Sequence, residues 1–377
     1  MTNQPHIIIA GGGFAGLTCA KALAARGVAV TLLERKKAAG VGMHTTGIIV
    51  KECADEFAVP DDITRKVTNV RLYAPSLRHV DLKSSDYFFL TTDTPRLMQF
   101  FTDEAANAGA KIIFDTAYDK SEIVGDKVVV NGGAYSADFL IGADGPRSKV
   151  AADYSLGKNT EFLLGAEAEY TGLKLHDENA FYCFLDQKLA HGYLGWVIPS
   201  VGVAQVGLAQ RMPARPDIDA FVSRMKDISS PSKARREAAG FGAKGSSLEQ
   251  IFDFSEAQVV ARRGGLIPCG GLVRPFANER VILLGDAAGI VSPLTAGGIH
   301  TALRYGRILG ETLADYFTRG GAHPAELLEK IYPRFYAKLA MRKIFEHTPN
   351  ALIDFGITNP LFAMAAGQVF YRKKKLR

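Results

Sequence analysis

Two periods of apolar and polar positions alternate along this chain, and the switches between them outline its elements. His6-Ile7-Ile8-Ile9-Ala10 is a short apolar run, the pattern of a strand buried on both faces. Gly11-Gly12-Gly13-Phe14-Ala15-Gly16 follows at once, and Leu17 to Ala25 reads as a helix that Gly27 ends. Val28 to Leu33 forms a second strand stopping at Glu34. Two later buried strands also end in small residues. Asp138 to Gly142 runs into Ala143-Asp144-Gly145, and Val281 to Leu284 runs into Gly285-Asp286-Ala287-Ala288-Gly289. Pro293-Leu294-Thr295-Ala296-Gly297-Gly298-Ile299 then opens a long helix reaching about Phe317. Between these landmarks, Ala180 to Leu185, Tyr193 to Ile198 and Ala204 to Ala209 alternate as strands of an antiparallel sheet. From about Ala322 the pattern is helical, with Leu327, Leu328, Ile331, Phe335 and Leu339 in step.

This order predicts an α/β protein with a Rossmann-like lobe, an interleaved antiparallel-sheet lobe and C-terminal helices. The first lobe draws on residues 1–50, 93–154 and 280–319, the second on 51–92 and 155–279, and the helical region on 320–377.

Composition narrows the class. A chain of 377 residues with 47% hydrophobic and 22% charged residues has the balance of an ordinary globular enzyme. Cys19, Cys53, Cys183 and Cys269 show no metal-like or redox-pair spacing, so no metal is expected and a reducing cytoplasm is. A nucleotide-type strand starts almost at once, and no apolar run is long enough to span a bilayer. The net charge of +6 suits a phosphate-rich cofactor or an anionic membrane surface, and does not argue for nucleic acid.

The glycine turn carries the first chemistry. Gly11 permits the tight turn, Gly13 lets backbone N–H groups approach a pyrophosphate, and Gly16 lets helix and strand pack closely. The helix N-terminus offers free N–H groups and partial positive charge, and Glu34 is placed to accept ribose hydroxyls. Either later Gly-Asp or Asp-Gly turn alone reads as a simple turn. Both together, downstream of a nucleotide turn, point to one extended dinucleotide.

With these three motifs in this order, the chain over roughly residues 5 to 320 resembles the FAD-dependent superfamily of para-hydroxybenzoate hydroxylase and the geranylgeranyl reductases. The resemblance implies that Gly11 to Gly16, Phe14 and Ala15 included, hold the ADP half of FAD with Glu34. It places Asp144 near the phosphates and Asp286 on the ribityl chain. Arg96, in Asp93-Thr94-Pro95-Arg96, resembles the family arginine that reaches toward FAD, with a solvated helix-start arginine as the alternative. Arg35, Thr46 and Ala117 join the implied cofactor set. Gly297, Gly298 and Ile299 would aim a helix dipole at the flavin pyrimidine edge, favouring the reduced, hydride-donating form.

His191-Gly192-Tyr193-Leu194-Gly195-Trp196-Val197-Ile198-Pro199 resembles the aromatic-x-Trp-x-Phe-Pro segment that lines the substrate pocket of geranylgeranyl reductases, with Leu194 and Ile198 as departures. Tyr193, Trp196 and Pro199 are therefore the expected substrate wall, and a core role in the sheet is the alternative for Trp196. The segment is also similar to one in flavin-dependent halogenases, but lacks their additional tryptophan. Gly40 to Ile49 corresponds to the reductases' Cys-x-Gly region, where this chain has Thr45-Thr46-Gly47 and no cysteine. His44 is the one titratable group there. It suits proton delivery near neutral pH, or else a hydrogen bond within a loop or to FAD.

The resemblance implies an FAD-dependent reductase of carbon–carbon double bonds in an isoprenoid or similarly apolar substrate; the alternative is a monooxygenase or halogenase. With a single complete glycine turn, electrons would come from transiently bound NAD(P)H or from a reduced redox protein. The apolar stretch from Leu352 to Phe370, with Arg372-Lys373-Lys374-Lys375-Leu376-Arg377 after it, fits a peripheral contact with the inner face of a membrane or a solvated tail after a core helix.

Overall fold

The computed structural model describes residues 4–229 and 251–371, so the basic run from Arg372 lies outside the described residues. Five parallel strands form the nucleotide-side sheet in the order Val281–Leu283, Phe139–Gly142, His6–Ala10, Ala29–Leu33, Lys111–Ile113. His6–Ala10 is central, which is why Ile7, Ile8 and Ile9 are fully buried. The first helix spans Phe14–Ala24 and starts earlier than its apolar pattern suggests, because Gly13 serves as its N-cap.

The long late helix, Ile299–Arg319, lies against this first helix. Two glycines bring the backbones together. A Cβ on Gly306 would stand 2.6 Å from the Ala15 carbonyl oxygen, and one on Gly310 would stand 2.7 Å from Ala22 Cβ. The chain's late Gly-Asp turn is thereby fixed beside its first glycine turn.

The second sheet has seven strands, in the order Gln258–Pro268, Phe162–Thr171, Ala204–Arg211, Gly195–Pro199, Ala180–Phe184, Asn69–Tyr73, His79–Leu82. It is antiparallel except where Ala180–Phe184 runs parallel to Asn69–Tyr73, a departure from the all-antiparallel expectation. Its two faces have separate cores. Tyr182, Phe184, Val197, Val206 and Leu208 pack with Phe221 of the helix Ile218–Ser229. Phe181, Cys183, Trp196 and Ile198 join the same core as Ile7–Ile9 and Leu303. The strand expected from Tyr193 begins at Gly195, because Tyr193 N–H closes a turn on the Ala190 carbonyl and Gly192 takes φ of +72°.

A three-stranded sheet of Ile48–Val50, Phe89–Thr92 and Thr64–Val67 lies on the segments between the larger sheets. The C-terminal helices are Pro324–Ile331, Tyr336–Glu346, Asn350–Gly356 and Pro360–Tyr371. Pro360 begins a helix rather than merely interrupting one, since its missing N–H costs nothing in the first turn. Tyr371 Oη anchors that helix by donating to the carbonyls of Thr68 (3.0 Å) and Leu82 (2.8 Å). Among the described residues, no helix is long and apolar enough to cross a membrane.

Candidate functional site

The glycines of the first turn do different mechanical work. Gly11 takes φ of +108°, and a Cβ there would stand 2.3 Å from the Ala143 carbonyl oxygen. A Cβ on Gly16 would stand 2.1 Å from the Gly11 carbonyl oxygen. Gly13 differs, since its Cβ would meet nothing within 4 Å. That open space adjoins a helix start with no side-chain cap, around Phe14 and Ala15, so its first N–H groups are available to an anion. Glu34 fixes the turn's other side. Its two carboxylate oxygens accept from Gly12 N–H (2.7 Å) and Lys36 N–H (2.8 Å), and each keeps lone-pair capacity for a hydroxyl.

The two later turns contrast. The Asp144 carboxylate accepts from Ser148 Oγ (2.6 Å), Lys149 N–H (2.7 Å) and Val150 N–H (3.1 Å), so it organises its own turn. Burial nevertheless raises its pKa. Asp286 is half-buried, and among the described residues no donor reaches its carboxylate. Burial alone pushes that carboxyl up to about 6. An acceptor desolvated without a donor is what a hydroxyl-bearing ligand would complete. Asn159, unremarked in the sequence, ties the turns together: its Nδ2 donates to the carbonyls of Pro146 (3.1 Å) and Asp286 (2.8 Å). Gly298 caps the late helix without a side-chain bond, next to Gly297 and ahead of Ile299, and its Cβ position lies 3.5 Å from Asp286 Oδ1.

The loop carrying His44 and Thr46 is pinned to the seven-stranded sheet. His44 is exposed and its Nδ1 lies 2.8 Å from the Gly264 carbonyl. Arg263 donates to the Thr45 carbonyl (3.0 Å) and pairs with half-buried Glu169. Gln205 Nε2 donates to the Thr46 carbonyl (3.0 Å) and to Glu169 (3.2 Å). Thr46 Oγ1 donates to Glu167 Oε2 at 2.8 Å, and Trp196 Nε1 donates to the same oxygen at 2.9 Å.

Glu167 is 5% exposed, and its Oε1 is buried with no partner. Burial raises its pKa to about 7, against the pull of the two hydrogen bonds and of Arg263. Tyr193 and Trp196 both pack on the core shared with the nucleotide-side sheet. Tyr193 Oη donates to the Thr295 carbonyl at 2.7 Å, reaching the segment that leads into Gly297 and Gly298.

Other expected residues are placed differently. Arg96 is exposed and paired with Asp62, the solvated helix-start arrangement, while its backbone N–H bonds the Asp93 cap. Arg35 and Ala117 are exposed, although Thr116 beside the latter bonds the Glu34 carbonyl at 2.9 Å. Pro199 shares the strand parity of Val197 rather than Trp196, and lines an outer groove with Arg65, Tyr170 and Ala204. It stands apart from the Tyr193–Trp196 face. Glu167, Glu169, Gln205 and Arg263 carry the polar side of that face, and sequence reasoning did not select them. The signal present was two glutamates two residues apart in an apolar strand, which places both on one face.

The chain's similarities agree with this geometry. It is 25% identical over 352 residues to digeranylgeranylglycerophospholipid reductase 1 of Methanothermobacter thermautotrophicus, covering 85% of this chain and 79% of that one. A solved geranylgeranyl bacteriochlorophyll reductase-like protein from Thermoplasma acidophilum shares the fold, with a TM-score of 0.79 at 16% identity, covering 98% of this chain and 97% of that chain. A flavin-dependent brominase superposes with a TM-score of 0.66 at 15% identity, covering 98% of this chain and 100% of that chain. The family described as FAD binding domain matches residues 4–331, and with its glycine turn, uncapped helix start and donor-free Asp286 in place, the chain belongs to that FAD-binding family.

Proposed function

We propose that this protein, with FAD bound, saturates carbon–carbon double bonds of an isoprenoid or similarly apolar substrate. One observation supports the reading: Tyr193 reaches the Thr295 carbonyl, which brings the Tyr193–Trp196 segment toward the Gly297–Gly298 helix start. The reductase names of relatives support it.

FAD supplies a hydride when reduced. Gly11, Gly13, Phe14, Ala15 and Gly16 would hold its pyrophosphate, Glu34 a ribose, and Asp286 the ribityl hydroxyls. Gly297, Gly298 and Ile299 present an uncapped helix start suited to a partial negative charge. Tyr193 and Trp196 exclude water and offer flat apolar surface to an extended chain. An unactivated alkene accepts hydride poorly, so a proton must arrive with it or before it. The electron donor is NAD(P)H bound transiently or a reduced redox protein.

The C-terminal helices extend the proposal to a peripheral contact with the inner face of a membrane. Phe355 is 78% exposed, and Ile344, Leu352, Leu361 and Met364 are exposed on the same run of helices. Such a surface suits a substrate that resides in lipid. Flotation with anionic vesicles is expected to carry the protein, and failure to float would remove the membrane part alone.

The activity test is anaerobic. Chemically reduced enzyme mixed with a prenyl substrate is expected to add two hydrogens to a double bond, read by mass spectrometry. An oxygenated or halogenated product formed only with oxygen would favour the monooxygenase or halogenase reading instead.

A further inference from the structure

A carboxyl group is buried under the loop of residues 43–47. Glu167 sits in the middle of the strand Phe162–Thr171 on the face turned toward the FAD-binding lobe. Its Oε2 receives one donor from the sheet, Trp196 Nε1, and one from the loop, Thr46 Oγ1. Its Oε1 is buried and, among the described residues, receives none.

The charged groups facing Glu167 are Arg263 and Glu169 on the sheet, and these two pair with each other. His44, on the loop, is exposed and turned to the Gly264 carbonyl. Among the described residues, Glu167 therefore has no cation of its own. A buried carboxylate with an unpartnered oxygen and no private counter-ion is costly, and the neutral acid costs much less.

We propose that Glu167 and Thr46 form a proton-delivery pair, in which the buried carboxyl stores the proton that completes double-bond saturation and the Thr46 hydroxyl hands it on. The inference rests on the reductase reading above. Thr46 suits the relay because its hydroxyl both donates and accepts and because it is half-buried, between the sealed carboxyl and the loop surface.

The proton balance is simple. In the protonated state the Oε2 hydroxyl of Glu167 donates to Thr46 Oγ1, the reverse of the bond the carboxylate accepts, which frees the Thr46 O–H. That O–H bond breaks as a C–H bond forms on the alkene carbon that does not receive hydride. The O–H bond of Glu167 breaks as that of Thr46 is restored. Glu167 is left as a carboxylate that Trp196 N–H and Thr46 O–H both stabilise, and its proton returns from solvent through the half-buried Thr46 hydroxyl between turnovers. The hydride and its two electrons are those of the reduced flavin. Glu167 acts through Thr46 and is a positioning residue, not one that touches substrate. Its pKa, raised by burial to about 7, leaves it able to hold and release a proton near neutrality.

Trp196 is the only tryptophan in the chain and so gives the test a readout besides turnover. In ¹H–¹⁵N NMR of the flavin-loaded protein, its single indole N–H resonance should titrate between about pH 5.5 and 8.5 with the carboxyl it touches. Glu167→Gln should abolish that titration and lower double-bond saturation about 100-fold. Thr46→Val should keep the titration but lose turnover comparably, and Thr46→Ser should restore it. An indole that titrates unchanged in Glu167→Gln, or saturation unchanged in Glu167→Gln and Thr46→Val, overturns the proposal. If the wild-type protein saturates no prenyl double bond, the reductase reading falls and delivery to an alkene falls with it. The indole titration does not depend on turnover, so the two failures are told apart.

Discussion

Trp196 reaches Glu167 across a gap left by Gly207. Trp196, Gly207 and Glu167 lie in one row of three neighbouring strands, and the indole Nε1 bonds Glu167 Oε2 at 2.9 Å over the middle one. A Cβ on Gly207 would stand 2.6 Å from the indole carbons Cε2 and Cζ2. The missing side chain is the passage that lets the ring lie flat and meet the acid.

Gly207→Ala should therefore displace the indole rather than the backbone. Overpacking a core of this kind costs about 1–3 kcal/mol. The expected result is a lower melting temperature together with a shifted indole N–H resonance. A shift in neither would show that the ring does not depend on Gly207.

Gly13→Val and Gly16→Ala should fail in different ways. The Gly13 position faces open space, so the fold should survive while flavin occupancy is lost. The Gly16 position faces a carbonyl oxygen 2.1 Å away, so even one methyl should destabilise the first helix and strand. Paired thermal melts and flavin absorbance of the purified variants separate the two. Normal flavin occupancy in Gly13→Val would mean that the pyrophosphate lies elsewhere.

Asp286 yields a prediction with a definite pH direction. Its folded pKa, about 6, is raised above the ordinary value of 3.8. The stability linked to this group is present below the ordinary value and is lost as pH rises through about 6. Flavin-stripped protein should therefore melt lower at pH 7.5 than at pH 5 by a margin that Asp286→Asn reduces. In the loaded protein, Asp286→Ala should weaken FAD binding by about 1.5–3 kcal/mol, the worth of hydrogen bonds to a charged acceptor. Equal FAD affinity in the variant and the wild type would remove Asp286 from the ribityl site.

Trp196→Ala removes a ring only 8% exposed, and a loss of about 3–5 kcal/mol is expected from burial alone. Trp196→Phe is the sharper variant, because it keeps an aromatic ring in the core while deleting the donor to Glu167. Turnover of a long apolar substrate should fall in both, with flavin still bound. If turnover and substrate affinity stay at wild-type values in both, Trp196 is not part of the substrate wall.

The parts of the fold legible in the sequence are those fixed by local pattern. Ile7–Ile9, the glycine turn and the two Asp turns announce themselves because strand burial, tight turns and helix starts each demand particular residues within a few positions. Glu167 was not legible, because its meaning depends on register: only the pairing of three strands puts it beside Trp196, with a glycine between. Pro199 was misleading for a related reason, since its neighbour Ile198 faces the flavin lobe and period-two alternation turns Pro199 the other way. Arg96 shows the limit of motif transfer. Its position at a helix start was readable, but its pairing with Asp62 depends on a residue distant in sequence.

The shared core that joins Ile7–Ile9 to Trp196 and Ile198 makes the two sheets inseparable as building blocks. Excising the segments of the seven-stranded sheet to obtain a minimal flavin carrier would strip the inner strands of their apolar cover. A substitution that opens this shared core should therefore loosen the glycine turn and the Tyr193–Trp196 segment together.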